Sequence, residues 1–263
     1  MPTTNNISKP LILVTNDDGA NAKGIQSLID CLRSLGDIFV VAPDGPRSAQ
    51  SSAITVNMPL RVEKTHEEEG LISYICNGTP ADCVKLALHQ LCSRKPDMVV
   101  SGINHGTNSS ISIIYSGTMG AAIEGCVNGI PSIGFSLNSY DPRSNFNDAM
   151  EYAYKITKKT LAEGLPNNIC LNVNIPDNQH TIQAVKICRQ SEGHWIEDFM
   201  KRKDPFGKNY YWLTGEFINT EKQNDDTDEW ALENGFVSIV PIKVDMTAYE
   251  YMDELKKIDY ELG

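Results

Sequence analysis

Short apolar runs recur along the first half of the chain, and each one hands over to a polar turn. Leu11-Ile12-Leu13-Val14 is uninterrupted, as a strand buried on both faces requires, and it ends in Thr15-Asn16-Asp17-Asp18-Gly19. Ile25, Leu28, Ile29 and Leu32 then fall at i, i+3, i+4 and i+7, which predicts a helix closing near Gly36. Ile38-Phe39-Val40-Val41 restarts the cycle as a strand and opens into a loop with Pro43, Gly45, Pro46, Arg47, Ser48, Ser51 and Ser52. Strands are predicted at 60–64 and 71–76, a helix on the spacing of Val84, Ala87, Leu88 and Leu91, and a buried strand at 97–100. A glycine-rich polar loop runs from Ser101 to Asn108. Tyr115-Ser116-Gly117-Thr118 opens a helix with Met119, Ala122, Ile123 and Cys126 on one face, and 132–137 returns as a strand.

Buried strands alternating with crossover helices imply right-handed connections and a mainly parallel, doubly wound α/β core. In such cores ligands bind beyond the carboxyl ends of the strands, and the three polar loops all follow strands, so they should meet on one edge. Beyond residue 140 the pattern changes. A helix is predicted over 150–161, strands at 169–174 and 182–188, a polar stretch over 189–235 with Tyr210-Tyr211-Trp212 and the acidic run 224–229, a strand at 237–242 and an amphipathic helix at 248–258. The polar stretch reads as a hairpin extension followed by an acidic loop. Two units are therefore expected, an α/β core at 1–188 carrying the site and an assembly region at 189–263.

A formal charge of -11 argues against stable nucleic-acid binding, which needs net positive surface to displace counterions. A small anionic substrate needs a local cation instead, and a bound metal supplies one. The first residues, MPTTNNISKP, lack a basic segment followed by an apolar one, and no run reaches the length of a membrane span, so a cytoplasmic location away from membranes is expected. The seven cysteines are odd in number and form no C-x-x-C, which points to buried free thiols rather than structural zinc.

Asp17-Asp18-Gly19 is the sharpest chemical feature. Adjacent carboxylates at a strand exit repel each other, glycine lets the backbone turn so that both reach one point, and a hard divalent cation resolves the repulsion. The plain alternative is an Asx turn with Asp18 capping the next helix. Ser48 and Asn104 offer neutral oxygens that can complete such a site, and each can equally be a turn former. Ser116, Gly117 and Thr118 at a helix N-terminus offer backbone N–H groups and hydroxyls suited to phosphate, or an ordinary cap. His105 adjoins Asn104 and reads either as a group acting on a leaving group or as a loop histidine facing solvent. Neither a P-loop nor a dinucleotide fingerprint nor a serine-hydrolase elbow is present.

Several blocks in order resemble the SurE survival-protein nucleotidase family. They are Ile12-Leu13-Val14-Thr15-Asn16-Asp17-Asp18-Gly19 with Gly24-Ile25, Val41-Ala42-Pro43-Asp44 with Arg47-Ser48, Gly78-Thr79-Pro80-Ala81-Asp82-Cys83-Val84, Ser101-Gly102-Ile103-Asn104-His105-Gly106-Thr107-Asn108, Tyr115-Ser116-Gly117-Thr118, Leu171-Asn172-Val173-Asn174-Ile175-Pro176 and Val244-Asp245-Met246-Thr247-Ala248. The resemblance implies a Rossmann-like core with a C-terminal hairpin and helix extension. It implies a metal site on Asp17, Asp18, Ser48 and Asn104, with one Mg²⁺ or Mn²⁺ per subunit, and substrate contacts from Asn108, Ser116, Gly117, Thr118 and Asp245. It further implies hydrolysis of nucleoside 5′- and 3′-monophosphates, with short polyphosphate as a further substrate, in a homodimer or homotetramer that exchanges its C-terminal elements. Many relatives carry a histidine where this chain has Tyr249. Two rivals differ in class. A haloacid-dehalogenase-type phosphatase needs an aspartate two positions after its nucleophile, where this chain follows Asp18 with Gly19-Ala20. A nucleotide sensor would bind without releasing phosphate.

Overall fold

The computed structural model describes residues 9–177 and 181–258. The outermost ends of the two expected units, 1–8 and 259–263, lie outside the described residues.

The alternating pattern folds as β1 (Leu11–Thr15), α1 (Lys23–Leu32), β2 (Asp37–Pro43), β3 (Val62–Glu68), β4 (Leu71–Cys76), α2 (Pro80–Leu86), β5 (Met98–His105), α3 (Gly117–Val127), β6 (Ser132–Leu137), α4 (Asn147–Glu163) and β7 (Ile169–Ile175). The rest of the chain adds β8 (Val185–Ile187), the long pair β9 (Gly193–Lys203) and β10 (Asn209–Asn219), α5 (Asp228–Glu233), β11 (Val237–Lys243) and α6 (Met252–Leu255). One nine-stranded sheet runs β3-β4-β2-β1-β5-β6-β7-β11-β8, while β9 and β10 form a separate hairpin. From β4 to β7 every neighbouring pair is parallel. Taken in chain order, those strands lie in the doubly wound sequence 3-2-1-4-5-6, with the reversal between β1 and β5.

The central parallel strands β1, β2, β5 and β6 are buried on both faces because their alternate side chains feed different cores. Ile12 and Val14 of β1 pack with Ile25, Leu28 and Leu32 of α1 and with Ala149 and Ala153 of α4. Leu13 points the other way, toward Cys83 and Val84 of α2 and Ala121 of α3. The helices thus sit as two pairs, α1 with α4 and α2 with α3, holding the β1–β5 reversal between them.

Four elements depart from the sequence expectation. The strand expected at 60–64 forms at Val62–Glu68, because antiparallel pairing with β4 sets its limits and its exposed edge carries no apolar pattern. The strand expected at 97–100 continues to His105, since pairing with β6 resumes after a one-residue bulge between Ser101 and Asn104. The strand expected at 182–188 shortens to Val185–Ile187. The terminal amphipathic helix at 248–258 is reduced to a 3-10 turn at Tyr249–Tyr251 and the four-residue α6, with no residue buried. A segment that short, without a packing partner, cannot offset the cost of helix nucleation. β11, from beyond the boundary expected at residue 188, joins the main sheet antiparallel to β7.

Phe135 of β6 is a fully buried aromatic of the larger core. Phe135→Ala is expected to lower the unfolding free energy by about 3–5 kcal/mol in urea titration, whereas Val56→Ala at an exposed loop position should change it by less than about 0.5 kcal/mol.

Candidate active site

The turn after β1 is built by its own sequence. Asn16 Nδ2 donates to the Gly19 carbonyl at 2.9 Å, and Gly19 sits at φ 98°, a left-handed conformation that favours glycine. Arg47 N–H donates to the Asp17 carbonyl at 2.7 Å, which ties the loop after β2 to the turn. The Arg47 guanidinium reaches Asp44 Oδ1 at 2.7 Å and the carbonyls of Asn77 and Gly78 at 3.1 and 3.3 Å. Further along the same loop, Ser51 Oγ donates to the Ile114 carbonyl at 2.7 Å. Ser48 is therefore carried between two anchored points.

Asp17 is 5% exposed and receives the Thr118 hydroxyl on Oδ1 at 2.5 Å. A Cβ on Gly117 would come within 2.8 Å of Asp17 Cβ, so the start of α3 lies directly against this carboxylate. Burial pushes Asp17 up to about 6; the Thr118 hydrogen bond opposes the shift and the neighbouring Asp18 charge adds to it. Asp18 is raised as well, again by burial, against a hydrogen bond from His105 N–H to Oδ2 at 3.1 Å. Asn104 Nδ2 donates to the Gly106 carbonyl at 2.7 Å, leaving its amide oxygen free to act as an acceptor. On the opposite side, a Cβ on Gly24 would fall 1.9 Å from the Ile103 carbonyl oxygen, so α1 rests on the strand end that carries Asn104.

Asp17, Asp18, Ser48 and Asn104 line a single cavity of about 480 Å³, together with Asn108 and Ser116. The donor set is all oxygen, two carboxylates with a hydroxyl and an amide carbonyl, which is the chemistry of a hard divalent cation. Two desolvated carboxylates held together gain most from such a charge. Among the described residues no group of three or more His, Cys, Asp or Glu side chains is placed to hold an ion, so the neutral oxygens of Ser48 and Asn104 are needed to complete this set.

The remaining expected site residues divide. Ser116 lines the cavity and also caps α3, its Oγ accepting from Met119 N–H at 3.0 Å. Gly117 and Thr118 are buried against Asp17 and act on the carboxylate rather than facing the cavity. Asn108 spends its amide N–H on Ser136 Oγ at 2.8 Å, and its backbone is gripped by Asn174 Oδ1 and Asn172 Nδ2 of β7. Asp245 is not on the cavity wall: it accepts from the Tyr249 hydroxyl and from Thr247 N–H on the exposed stretch after β11. The family resemblance placed it there, and among the described residues no contact carries that stretch to the site. His105 does line the cavity, but its ring packs edge-on against Phe146 at 5.8 Å.

Sequence reasoning missed one whole wall. Tyr140, Trp195, Glu197, Leu213, Thr214 and Gly215 also line the cavity, all but the first from the β9–β10 hairpin. The only local signal was the two-residue spacing of Trp195 and Glu197, which puts both on one face of a strand.

An oxygen-rich, acid-bearing cavity at the reversal point of a 3-2-1-4-5-6 sheet defines the class, a doubly wound α/β protein with its site at the strand carboxyl ends. The family model described as survival protein SurE matches residues 12–197. The chain belongs to the SurE family. It is 51% identical to the 5'-nucleotidase SurE of Phocaeicola vulgatus over 97% of this chain and 98% of that relative. It is 53% identical to the 5'-nucleotidase SurE of Bacteroides fragilis, over 94% and 97% respectively. The crystal structure of the Sure protein from Aquifex aeolicus superposes with a TM-score of 0.79 at 39% identity, covering 94% of this chain and 99% of that one.

The raised Asp17 has a defined consequence for stability. In the folded metal-free chain it binds its proton more tightly than the ordinary carboxylate at 3.8, so its ionisation destabilises the fold progressively as pH rises from about 4 through 6. The penalty at neutral pH is about 3 kcal/mol. Asp17→Asn is therefore expected to raise the thermal midpoint of chelator-treated protein at pH 7.5, with the gain vanishing near pH 4. A variant no more stable than wild type at pH 7.5 would contradict this account.

Proposed function

We propose that the chain is a divalent-metal-dependent phosphomonoesterase that hydrolyses nucleoside 5′- and 3′-monophosphates to nucleoside and inorganic phosphate, with short polyphosphate as a further substrate. The convergence of Asp17, Asp18, Ser48 and Asn104 on one cavity carries the reading. The names of the relatives at about half identity across nearly the whole chain support the activity.

Asp17, Asp18, Ser48 and Asn104 would hold one Mg²⁺ or Mn²⁺ per subunit, and the ion supplies positive charge against the charge developing on the phosphoryl oxygens. The chain's own residues do the rest. Thr118 fixes the orientation of Asp17, and His105 N–H fixes that of Asp18. Ser116, at the N-cap of α3, lies on the cavity wall, where its hydroxyl suits a phosphate oxygen. Asn172 and Asn174 hold the 107–109 loop, and with it Asn108, in place.

Assembly as a homodimer or homotetramer through the C-terminal elements belongs to the same reading. A two-stranded hairpin is marginal alone, and this one exposes Phe199, Met200, Tyr211, Trp212 and Leu213. A cytoplasmic site of action is also proposed. Among the described residues no helix is long and apolar enough to cross a membrane.

Phosphate release from a panel of nucleoside monophosphates is expected with Mg²⁺ or Mn²⁺, and chelation or Asp17→Asn should each lower kcat/KM by about 10³-fold or more. Equal release in all arms would overturn the proposal. Sedimentation equilibrium should give two or four chains per particle, and a monomer at micromolar concentration would rule out the proposed assembly.

A further inference from the structure

The cavity lining has two chemically different parts. One is the Asp17–Asp18 pair with Ser116 at the start of α3; the other is the hairpin wall, with Trp195 and Glu197 on β9 and Leu213 and Gly215 on β10. Trp195 and Glu197 share a strand face, and their cross-strand partners are Phe217 and Gly215. Phe217 braces the Trp195 ring at 5.8 Å between centroids, yet 41% of Trp195 remains exposed on the cavity wall. Gly215 brings no side chain opposite Glu197, and the Glu197 carboxylate makes no hydrogen bond or ion pair among the described residues.

This wall is held in position rather than hanging free. Buried Asp228 accepts Ser191 N–H at 2.9 Å and Ser110 N–H at 2.8 Å, and Ser110 Oγ donates to the Ser191 carbonyl at 2.9 Å. Those bonds lock the base of the hairpin to the 3-10 turn Ser110–Tyr115, whose Ser112 and Tyr115 line the same cavity.

We propose that Trp195 stacks on the nucleobase and that Glu197 accepts hydrogen bonds from N–H or O–H donors of the nucleoside, so that the hairpin selects nucleotides over other phosphate esters. An aromatic face stacks on any base and has no equivalent partner in a bare sugar phosphate. A carboxylate without a protein partner repels the phosphate and is satisfied only by donors, which ribose hydroxyls and base amino or imino groups provide. The inference rests on the phosphomonoesterase reading for its kinetic arm only.

The test compares full-length wild type, Trp195→Ala, Trp195→Phe and Glu197→Gln. The kinetic readout is the ratio of kcat/KM for each nucleoside 5′-monophosphate to that for ribose 5-phosphate. Calorimetric binding of adenosine and guanosine supplies a second readout independent of hydrolysis. Trp195→Ala is expected to lower the ratio about tenfold or more, chiefly through the nucleotide KM, and to weaken nucleoside binding to a similar degree, with Trp195→Phe recovering most of both. Glu197→Gln should lower the ratio severalfold. A Glu197→Gln loss confined to ribonucleotides over 2′-deoxynucleotides assigns the donor to ribose, and one that varies with the base assigns it to the base; either supports the proposal. Trp195→Ala lowering both substrates equally, or leaving the ratio unchanged, overturns it. Wild type that binds nucleoside through Trp195 but releases no phosphate would remove the phosphatase reading and leave this one standing. Normal hydrolysis with nucleoside affinity equal in wild type and Trp195→Ala would remove this one alone.

Discussion

Two carboxylates forced together at the end of a buried strand are the constraint around which the rest is arranged. Asp17 has almost no contact with solvent, and its neighbour Asp18 carries the same charge. Such a pair is unfavourable in a protein unless positive charge or hydrogen-bond donors reach it. The fold supplies donors to the carboxylates from two directions, the Thr118 hydroxyl from α3 and the His105 amide from β5, while the Arg47 amide from the loop after β2 fixes the turn through the Asp17 main-chain carbonyl. Each of those contacts also delivers a neighbouring residue to the cavity, so the groups that relieve the acids and the groups that complete the site arrive together.

Close backbone approach is what makes that geometry possible. Gly24 lets α1 touch the Ile103 carbonyl, Gly117 lets α3 touch Asp17, and a Cβ on Gly120 would fall 2.2 Å from the Ser51 carbonyl oxygen. The site is thereby clamped on both faces of the sheet, at the point where strand order reverses and the loops after β1 and β5 diverge. Farther out, buried asparagines on β7 and Asp228 on α5 extend the same principle, holding loop and hairpin through side-chain bonds to backbone.

The central strands, the helices that cover them and the acidic turn were legible in the residues because each leaves a local mark, whereas Ser48 and Asn104 entered through the resemblance of whole blocks. Unbroken runs such as Ile12-Leu13-Val14 mark strands covered on both sides, and an acidic pair followed by glycine marks a turn that concentrates charge. What was misjudged lacks such a mark. Asn104 was expected in a loop, yet it ends a strand whose polar residues pair with β6 across a bulge. The stretch after β11 has an amphipathic look at 248–258 but buries nothing, so its helix barely forms.

The chain's sequence by itself therefore determined the layered α/β class and the position of the acidic turn, because periodicity and charge act over a few residues. Only the tertiary structure decided that Thr118 serves Asp17, that Asp245 stands apart, and that the β9–β10 hairpin, far along the chain from the acidic turn, closes the cavity with Trp195 and Glu197. Those outcomes depend on contacts between segments far apart in the chain. No local pattern encodes such contacts; they appear only when burial, register and backbone approach are satisfied at once.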